Sequence, residues 1–147
     1  RQQVYRYNIN PTLICFDITE TAAIANLSSA TAMITQMRQE GFRFALDDFG
    51  SGLSSFNYLK NLPVEYLKID GSFIKDMIKD PINTAMVASI NQIGHMMGLK
   101  TIAEFVENEF VYEKLKRLNV DFAQGYSIHK PEPFNQYNAL LQRRPQN

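Results

Sequence analysis

Residues 42–52 read FRFALDDFGSG and carry the clearest structural signal in this sequence of 147 residues. The apolar, β-prone run of residues 42–49 predicts a buried strand, and the GSG of residues 50–52 predicts a tight turn directly after it. Two adjacent carboxylates, Asp47 and Asp48, lie near the end of that strand. The segment therefore predicts a strand that carries an acidic pair at its carboxyl end.

Four other short apolar runs are also predicted as strands. They cover residues 13–18, 66–70, 100–106 and 121–128. Apolar residues recur at helical spacing between the strands and predict helices; these cover residues 30–39, 84–97 and 109–118, with one or two helical turns within residues 54–61 and a terminal helix over residues 134–141. Strands that alternate with helices are typical of βαβ units, so the sequence predicts an α/β fold with a parallel sheet of about five βα units.

Composition restricts both the class of protein and its partners. Hydrophobic residues make up 45% of the sequence and charged residues 20%, as in soluble globular domains. The 15 basic and 15 acidic residues balance, which argues against a nucleic-acid polymer as partner. No apolar run approaches the roughly 18–20 residues that span a bilayer, so we expect no direct membrane insertion of this segment. The single Cys15 cannot form an internal disulfide, and we expect it to pack as a small hydrophobe in a cytoplasmic protein.

Charged or amide side chains follow every predicted strand at its carboxyl end. In chain order these residues are Asp17 and Glu20, Asp47 and Asp48, Lys68 and Asp70, Glu104 and Glu107, and Gln124. The carboxyl ends of parallel strands lie on one side of the sheet, where ligands bind and catalysis takes place in α/β folds. The sequence therefore predicts that these groups converge on one site.

Four carboxylates at such a site need a compensating charge, because two unit charges about 4 Å apart repel by roughly 4 kcal/mol at an effective dielectric constant near 20. The four are Asp17, Asp47, Asp48 and Glu104. Protonation or a bound cation would compensate, and carboxylates without histidine or thiol ligands favour Mg²⁺, Mn²⁺ or Ca²⁺ over zinc. Successive strand residues point to opposite faces, so Asp47 and Asp48 are expected to share the site only if the strand ends there. The residues alone leave open that each carboxylate is a helix cap or a solvated loop residue.

The hexapeptide of residues 47–52, DDFGSG, resembles the DDFGTG loop of EAL domains, the bacterial phosphodiesterases that hydrolyse cyclic di-GMP. Further motifs match this family in the same order along nearly the whole chain. They are FDITE at residues 16–20, FNYL at 56–59, LPV at 62–64, LKID at 67–70, TIAEFVE at 101–107 and AQGY at 123–126. Several matching motifs in the right order identify the sequence as a member of the family.

The resemblance implies a modified (β/α)₈ barrel that hydrolyses one phosphodiester bond of cyclic di-GMP and releases linear pGpG. By position, two divalent cations, Mg²⁺ or Mn²⁺, would be bound by the carboxylates; these are Asp17, Asp47, Asp48 and Glu104, with Asp47 between both ions. Lys68 resembles the lysine that holds or activates the attacking water, and Glu20 the glutamate that fastens the DDFG loop. The remaining predicted site residues are Glu107 as a catalytic residue and Gln124, Ser51 and Gly52 at the substrate.

Three departures from the family pattern matter. Asp17 stands where the family usually has glutamate, so its carboxylate is withdrawn by one methylene, and Ser51 replaces a threonine while keeping the hydroxyl. The Glu-Ala-Leu signature and the strand with an asparagine ligand precede residue 1 in the family's order. Residues 1–147 are therefore interpreted as the carboxyl-terminal part of a single EAL domain, with residues 1–10 as the end of a preceding helix and 142–147 as a polar tail. A first residue other than methionine also indicates a segment of a longer polypeptide.

Loss of three strands would leave two open sheet edges and an exposed interior. We therefore expect a homo-oligomer or a strand-swapped partner, and little hydrolysis by the isolated segment.

Two alternatives stay open: a degenerate EAL domain that acts as a cyclic di-GMP receptor or interaction module, and an unrelated α/β metal-binding barrel. His95 is expected to pack or lie on the surface, His129 to lie near the pocket rim, and Asp70 to orient Lys68 or to cap the next helix.

Overall fold

The computed structural model describes residues 1–50 and 57–133. Its sheet has five parallel strands, which neighbour one another in the order in which they occur along the chain. They are β1 (Cys15–Thr19), β2 (Arg43–Phe49), β3 (Tyr66–Ile69), β4 (Lys100–Ala103) and β5 (Phe122–Ala123). Sequential parallel strands linked by helices are the repeating unit of a (β/α) barrel, so the predicted α/β fold of about five units is confirmed.

Six α-helices connect or precede the strands in the described residues. They are α1 (Gln2–Arg6), α2 (Glu20–Ala25), α3 (Leu27–Gln39), α4 (Gly71–Asp76), α5 (Pro81–Met96) and α6 (Glu109–Arg117), with single 3₁₀ turns at Pro11–Leu13 and Leu59–Asn61. None of the helices in the described part of the chain has the length and apolarity needed to cross a membrane. The predicted terminal helix over 134–141, the tail over 142–147, and Ser51 and Gly52 lie outside the described residues.

Short polar side chains begin these helices at the positions that the sequence supplies. Thr19 accepts a hydrogen bond from the Ala22 amide at the start of α2, a helix that apolar spacing did not predict because it is only six residues long. Asp70 accepts from the Ser72 amide at 2.7 Å and caps α4. Of the two roles expected for Asp70, the cap is confirmed.

The hydrophobic core lies between the helices and the outer face of the sheet. Alternate strand residues point into it, among them Leu46, Leu67 and Ile69, all with less than 1% exposure. Helix residues such as Ile34 and Ile90 cover them. This face therefore holds the strands at fixed register and leaves the inner face free for polar groups.

The inner face of the sheet lines an open cleft of about 450 Å³. Cys15, Asp17, Tyr66, Lys68 and Ile102 are among its lining residues. Cys15 is exposed, so the prediction that it packs as a buried hydrophobe is wrong. The reason is that Cys15 lies on the inner face, which no helix covers in the described part of the chain.

Two predicted strands are shorter than expected. β4 ends at Ala103 instead of residue 106, and Phe105 has a left-handed backbone with φ of +52° that an extended strand does not allow. β5 covers only Phe122–Ala123, after which the chain turns back and the Ile128 amide donates to the Gly125 carbonyl. The Gln124 backbone still bonds to the segment of β4, since its amide donates to the Ala103 carbonyl at 2.8 Å and its carbonyl accepts from the Val106 amide at 3.0 Å.

Candidate active site

A β-bulge brings the adjacent carboxylates Asp47 and Asp48 to one site. The register between β2 and β3 slips by one residue between Leu46 and Phe49, so β2 holds an extra residue there. Asp48 has φ of +56°, and its amide donates to its neighbour Asp47 at 3.0 Å. The strand ends at Phe49, one residue after Asp48, as the shared site was expected to require, and the bulge adds a local irregularity that the sequence did not predict.

Three carboxylates form the acidic cluster of this site. Asp47, Asp48 and Glu104 each offer an oxygen, and these oxygens lie within 4.8 Å of one another. Glu104 follows β4 directly, and the residue before it pairs with Ile69 at the carboxyl end of β3. The set contains no histidine or cysteine, so its donor chemistry fits a hard divalent cation.

The electrostatics of the cluster are those of crowded anions. Burial and the neighbouring charges of Asp47 and Asp70 raise the pKa of Asp48. Burial also raises the pKa of Glu104; Lys68 works in the opposite direction, and Asp47 and Asp48 add to the increase. Both carboxylates are therefore less stable as anions than in water, and a divalent cation would reverse this.

Lys68 is the buried cation at the centre of the site. Its ammonium Nζ lies 2.9 Å from Asp47, 2.9 Å from Glu104 and 3.0 Å from Asp17. Burial alone would lower the pKa of Lys68, but hydrogen bonds to these three carboxylates outweigh it and the pKa is raised. The lysine supplies part of the compensating charge that the sequence required, yet one ammonium against four carboxylates leaves three negative charges.

Asp17 lies on β1, two residues before the residue that pairs with Asp47 of the acidic cluster. In the β1–β2 ladder Asp17 pairs with Ala45, whereas Thr19 pairs with Asp47. Its side chain is half exposed and contacts Lys68. The structure thus brings three of the four predicted metal ligands together and connects the fourth through the lysine.

Glu20 fastens the chain that follows β2. It is the first residue of α2, is 3% exposed, and accepts hydrogen bonds from the Gly50 amide at 3.2 Å and from the Tyr58 hydroxyl. No role for Tyr58 was predicted from the sequence, where the only signal was a hydroxyl-bearing aromatic in an apolar run. One buried carboxylate thereby contacts both Gly50 and Tyr58.

A pocket of about 250 Å³ adjoins the acidic cluster. It is lined by Glu104, Phe105, Glu107, Gln124, Gly125 and Tyr126, so the predicted residues Glu107 and Gln124 share a site with Glu104. A Cβ on Gly125 would lie 2.3 Å from the Val106 backbone, so only glycine allows the two segments to approach this closely. Phe105 and Tyr126 are lining residues that were not predicted from the sequence. His129 lies 3.5 Å from Glu132.

A parallel βα sheet with a carboxylate cluster at the carboxyl ends of its strands defines the chain as part of a barrel with a candidate metal centre. The family model described as EAL domain matches residues 1–131, and the chain belongs to this family. The resemblance carried by the sequence motifs is confirmed. EAL domains are metal-dependent, and the acidic cluster of this chain agrees with that property.

Named relatives support the same assignment. The chain is similar to cyclic di-GMP phosphodiesterase PdeB of Shewanella oneidensis, with 44% identity over 144 residues, which cover 98% of this chain and 17% of PdeB. It is similar in structure to the PaMucR phosphodiesterase in complex with c-di-GMP, with a TM-score of 0.89 and 34% identity over 93% of this chain and 56% of that chain. The Klebsiella pneumoniae BlrP1 manganese and cyclic di-GMP complex shares the fold, with a TM-score of 0.79 and 24% identity over 85% of this chain and 32% of that chain. The chain spans less than one fifth of the length of PdeB.

Proposed function

We propose that this chain carries catalytic residues of a cyclic di-GMP phosphodiesterase, which hydrolyses one phosphodiester bond and releases linear pGpG in the cytoplasm. The observation that carries the proposal is the three-carboxylate cluster around Lys68 at the carboxyl ends of β2, β3 and β4. Membership in the EAL family supports the substrate, since the similar protein PdeB is named for this activity.

Two divalent cations, Mg²⁺ or Mn²⁺, are the proposed cofactors. Asp47, Asp48 and Glu104 would hold them, with Asp47 shared between both ions and Asp17 as the fourth ligand beside Lys68. When bound, the ions would lower the pKa of a coordinated water and offset negative charge on the phosphate. The donor set fits this role because every ligand is a hard carboxylate oxygen.

Lys68 would position the attacking water as a hydrogen-bond donor. Its raised pKa keeps the ammonium protonated at neutral pH, so it cannot accept the proton of that water. Of the two functions that the family resemblance implies for this lysine, holding the water therefore fits the geometry better than activating it as a base. Three carboxylates within 3.0 Å fix the position of the ammonium and reduce its freedom to move.

The substrate would contact the pocket beside the cluster. Glu107 and Gln124 line it and offer a carboxylate and an amide for hydrogen bonding. Glu20 would act indirectly by holding Gly50, which precedes the predicted substrate residues Ser51 and Gly52 in the sequence. The site is thus divided into a metal side at β2 and β4 and a substrate side at β4 and β5.

A receptor without catalysis is the second candidate. The observation that favours it is the position of Asp17, which lies outside the three-carboxylate cluster and pairs with Lys68. A protein that lost one metal ligand could still bind the cyclic dinucleotide in the pocket beside Glu104.

The two edge strands of the described sheet, β1 and β5, are the proposed sites of a strand-forming partner in a homo-oligomer or strand-swapped assembly, which would also cover the inner face. Leu13 is 79% exposed and Phe122 50% exposed, which is unfavourable for apolar side chains in water. Light scattering is expected to give a mass above that of one chain, and a monodisperse monomer would contradict this part of the proposal.

Hydrolysis of cyclic di-GMP by the full-length protein tests the main proposal. Linear pGpG is separated by liquid chromatography after incubation with Mn²⁺ or Mg²⁺, and Asp47→Asn is expected to lower turnover at least ~100-fold, comparable to the loss of a major electrostatic group. Asp76→Asn, which changes an exposed aspartate on α4, is the matched control and should leave turnover unchanged. Binding without turnover would favour the receptor, and neither binding nor turnover would overturn both candidates.

A further inference from the structure

Phe105 has a backbone conformation that its side chain does not favour. Its φ is +52°, in the left-handed region where bulky residues are rare outside turns and functional sites. It directly follows Glu104 of the acidic cluster, and the residue as a whole is 50% exposed. An apolar ring that is held in a strained position and left half in solvent requires an explanation beyond packing.

Helix α4 holds one side of the Phe105 ring. A Cβ on Gly71 would lie 2.0 Å from the ring, so the first residue of α4 has to be glycine for the ring to fit there. Lys75, one turn later on the same helix, places its ammonium 4.3 Å from the ring centroid in a cation–π contact. These two contacts fix the ring beside the acidic cluster before any ligand binds.

The exposed part of Phe105 lines the pocket of about 250 Å³ together with Tyr126. Two aromatic residues in one pocket suit a flat ligand, because a planar ring gains contact by stacking on another ring. Glu107 and Gln124 in the same lining provide a carboxylate and an amide for the edge of that ligand. A purine base has both properties, a flat face and a hydrogen-bonding edge.

We propose that Phe105 is a stacking platform for one purine base of the cyclic dinucleotide and thereby a specificity-determining residue of this site. The inference rests on the proposed function and adds the subsite that holds the base. Since Phe105 is adjacent to Glu104, a base stacked on it would hold the scissile phosphodiester near the acidic cluster. Stacking does not distinguish among purines, so the platform selects for a flat base and leaves discrimination by the base edge to its polar neighbours.

Kinetics of Phe105→Leu in the full-length protein test this proposal. Leucine keeps a Cβ and an apolar side chain but removes the ring, so KM for cyclic di-GMP is expected to rise roughly tenfold while kcat changes by less than about twofold. Phe105→Tyr keeps the ring and is expected to retain the KM of the unaltered protein. Phe110→Leu removes an aromatic ring that is 78% exposed on α6, and it serves as the matched control for loss of an exposed ring.

A second measurement keeps the proposal testable if Phe105→Leu does not fold. A cyclic dinucleotide with 2-aminopurine in place of one base should lose fluorescence when it binds the Asp47→Asn variant, in which turnover is lowered and Phe105 is present. An unchanged KM in folded Phe105→Leu, or unquenched fluorescence in bound probe, would overturn the platform and leave the proposed function standing. Absence of both binding and turnover in the unaltered protein would overturn the two together.

Discussion

The two ends of the same sheet hold carboxylates in opposite electrostatic states. The carboxyl-end cluster consists of Asp17, Asp47, Asp48, Lys68 and Glu104. The amino-end network consists of Asn91, His95, Lys100, Thr101 and Asp121. In the first, one ammonium is shared by Asp17, Asp47 and Glu104 and the pKa of both Asp48 and Glu104 is raised, whereas in the second both oxygens of Asp121 have donors and its pKa is lowered. In (β/α) barrels the residues at the carboxyl ends of the strands serve function and those at the amino ends serve stability. The difference in hydrogen-bond and charge partners of the carboxylates gives this division a physical basis.

Asp121 is the centre of the amino-end network. Its oxygens accept from Lys100 at 2.6 Å and from the Thr101 amide at 2.9 Å, and His95 Nε2 lies 2.7 Å away. Burial would raise the pKa of Asp121, but these partners outweigh it and hold the pKa below its usual range. The expectation that His95 packs or lies at the surface holds, since it supports Asp121 at the end of the sheet away from the acidic cluster.

Lys68→Met should give the largest effect on stability. Removing the buried ammonium leaves Asp17, Asp47 and Glu104 without their shared donor, and we expect a loss of roughly 3 kcal/mol in the free energy of unfolding without metal. Urea denaturation measures this loss, and saturating Mn²⁺ should recover part of it. Lys100→Met is the control, since this lysine is 62% exposed and its removal should cost about 1 kcal/mol or less. Equal losses in both variants would remove the distinction between the two ends.

Asp121→Asn should give the second largest loss, because it breaks a satisfied network. We expect the free energy of unfolding to fall by about 2 kcal/mol at pH 7. A lowered folded-state pKa means that the ionised group stabilises the fold above its unfolded pKa of about 4, and that this contribution is lost as the pH falls further. The difference between the variant and the unaltered protein should therefore shrink below about pH 4. A difference that grows in acid would contradict the assigned state of Asp121.

Much of this arrangement was predictable from sequence, for a definite reason. In a parallel sheet all strands end on the same side, so a polar residue that follows a buried apolar run lies on that side. The order of residues along the chain therefore sufficed to assign Asp47, Glu104 and Gln124 to one end. The bulge was not predictable, because a slip between Leu46 and Phe49 is a property of two paired strands and not of one.

The exact long-range contacts were the other feature that sequence could not supply, although it did predict Asp17 and Lys68 at the same end of the sheet. Lys68 contacts Asp17 across 51 residues, and Asp121 contacts Lys100 across 21 residues. No local pattern records such a pairing. The amino-end network was missed for a further reason, since Lys100 and Asp121 lie at the starts of strands and His95 near the end of α5, where charged side chains are ordinarily interpreted as solvated.

Tyr58→Phe sharpens the comparison, because it tests Glu20, a carboxylate near the acidic cluster that does have hydrogen-bond donors. Glu20 would keep the Gly50 amide and lose the tyrosine hydroxyl, which should lower the free energy of unfolding by about 1 kcal/mol. If Glu20 positions the backbone at Gly50 for catalysis, turnover of cyclic di-GMP should also fall by a few-fold with KM nearly unchanged. Tyr112→Phe on α6 provides the matched hydroxyl deletion and should change neither quantity. An effect on stability without one on turnover would limit Glu20 to a structural role.

Asp48→Asn should give the smallest change in stability and the only one of opposite sign. Its raised pKa means that the ionised carboxylate destabilises the fold above the folded-state pKa, and that the penalty disappears as the pH falls through that value. The variant should be more stable than the unaltered protein at pH 7 without metal. The gain should be no more than about 0.5 kcal/mol because the side chain is exposed, and it should shrink in acid.

Calorimetry should also show that Mn²⁺ raises the melting temperature of the unaltered protein, since a cation that binds only the folded state stabilises it. Asp48→Asn should reduce this rise. If Asp48→Asn stabilises the fold and weakens the response to metal, Asp48 lowers the stability of the protein but contributes to metal binding. If Asp48→Asn destabilises the fold, Asp48 is a structural anion like Asp121.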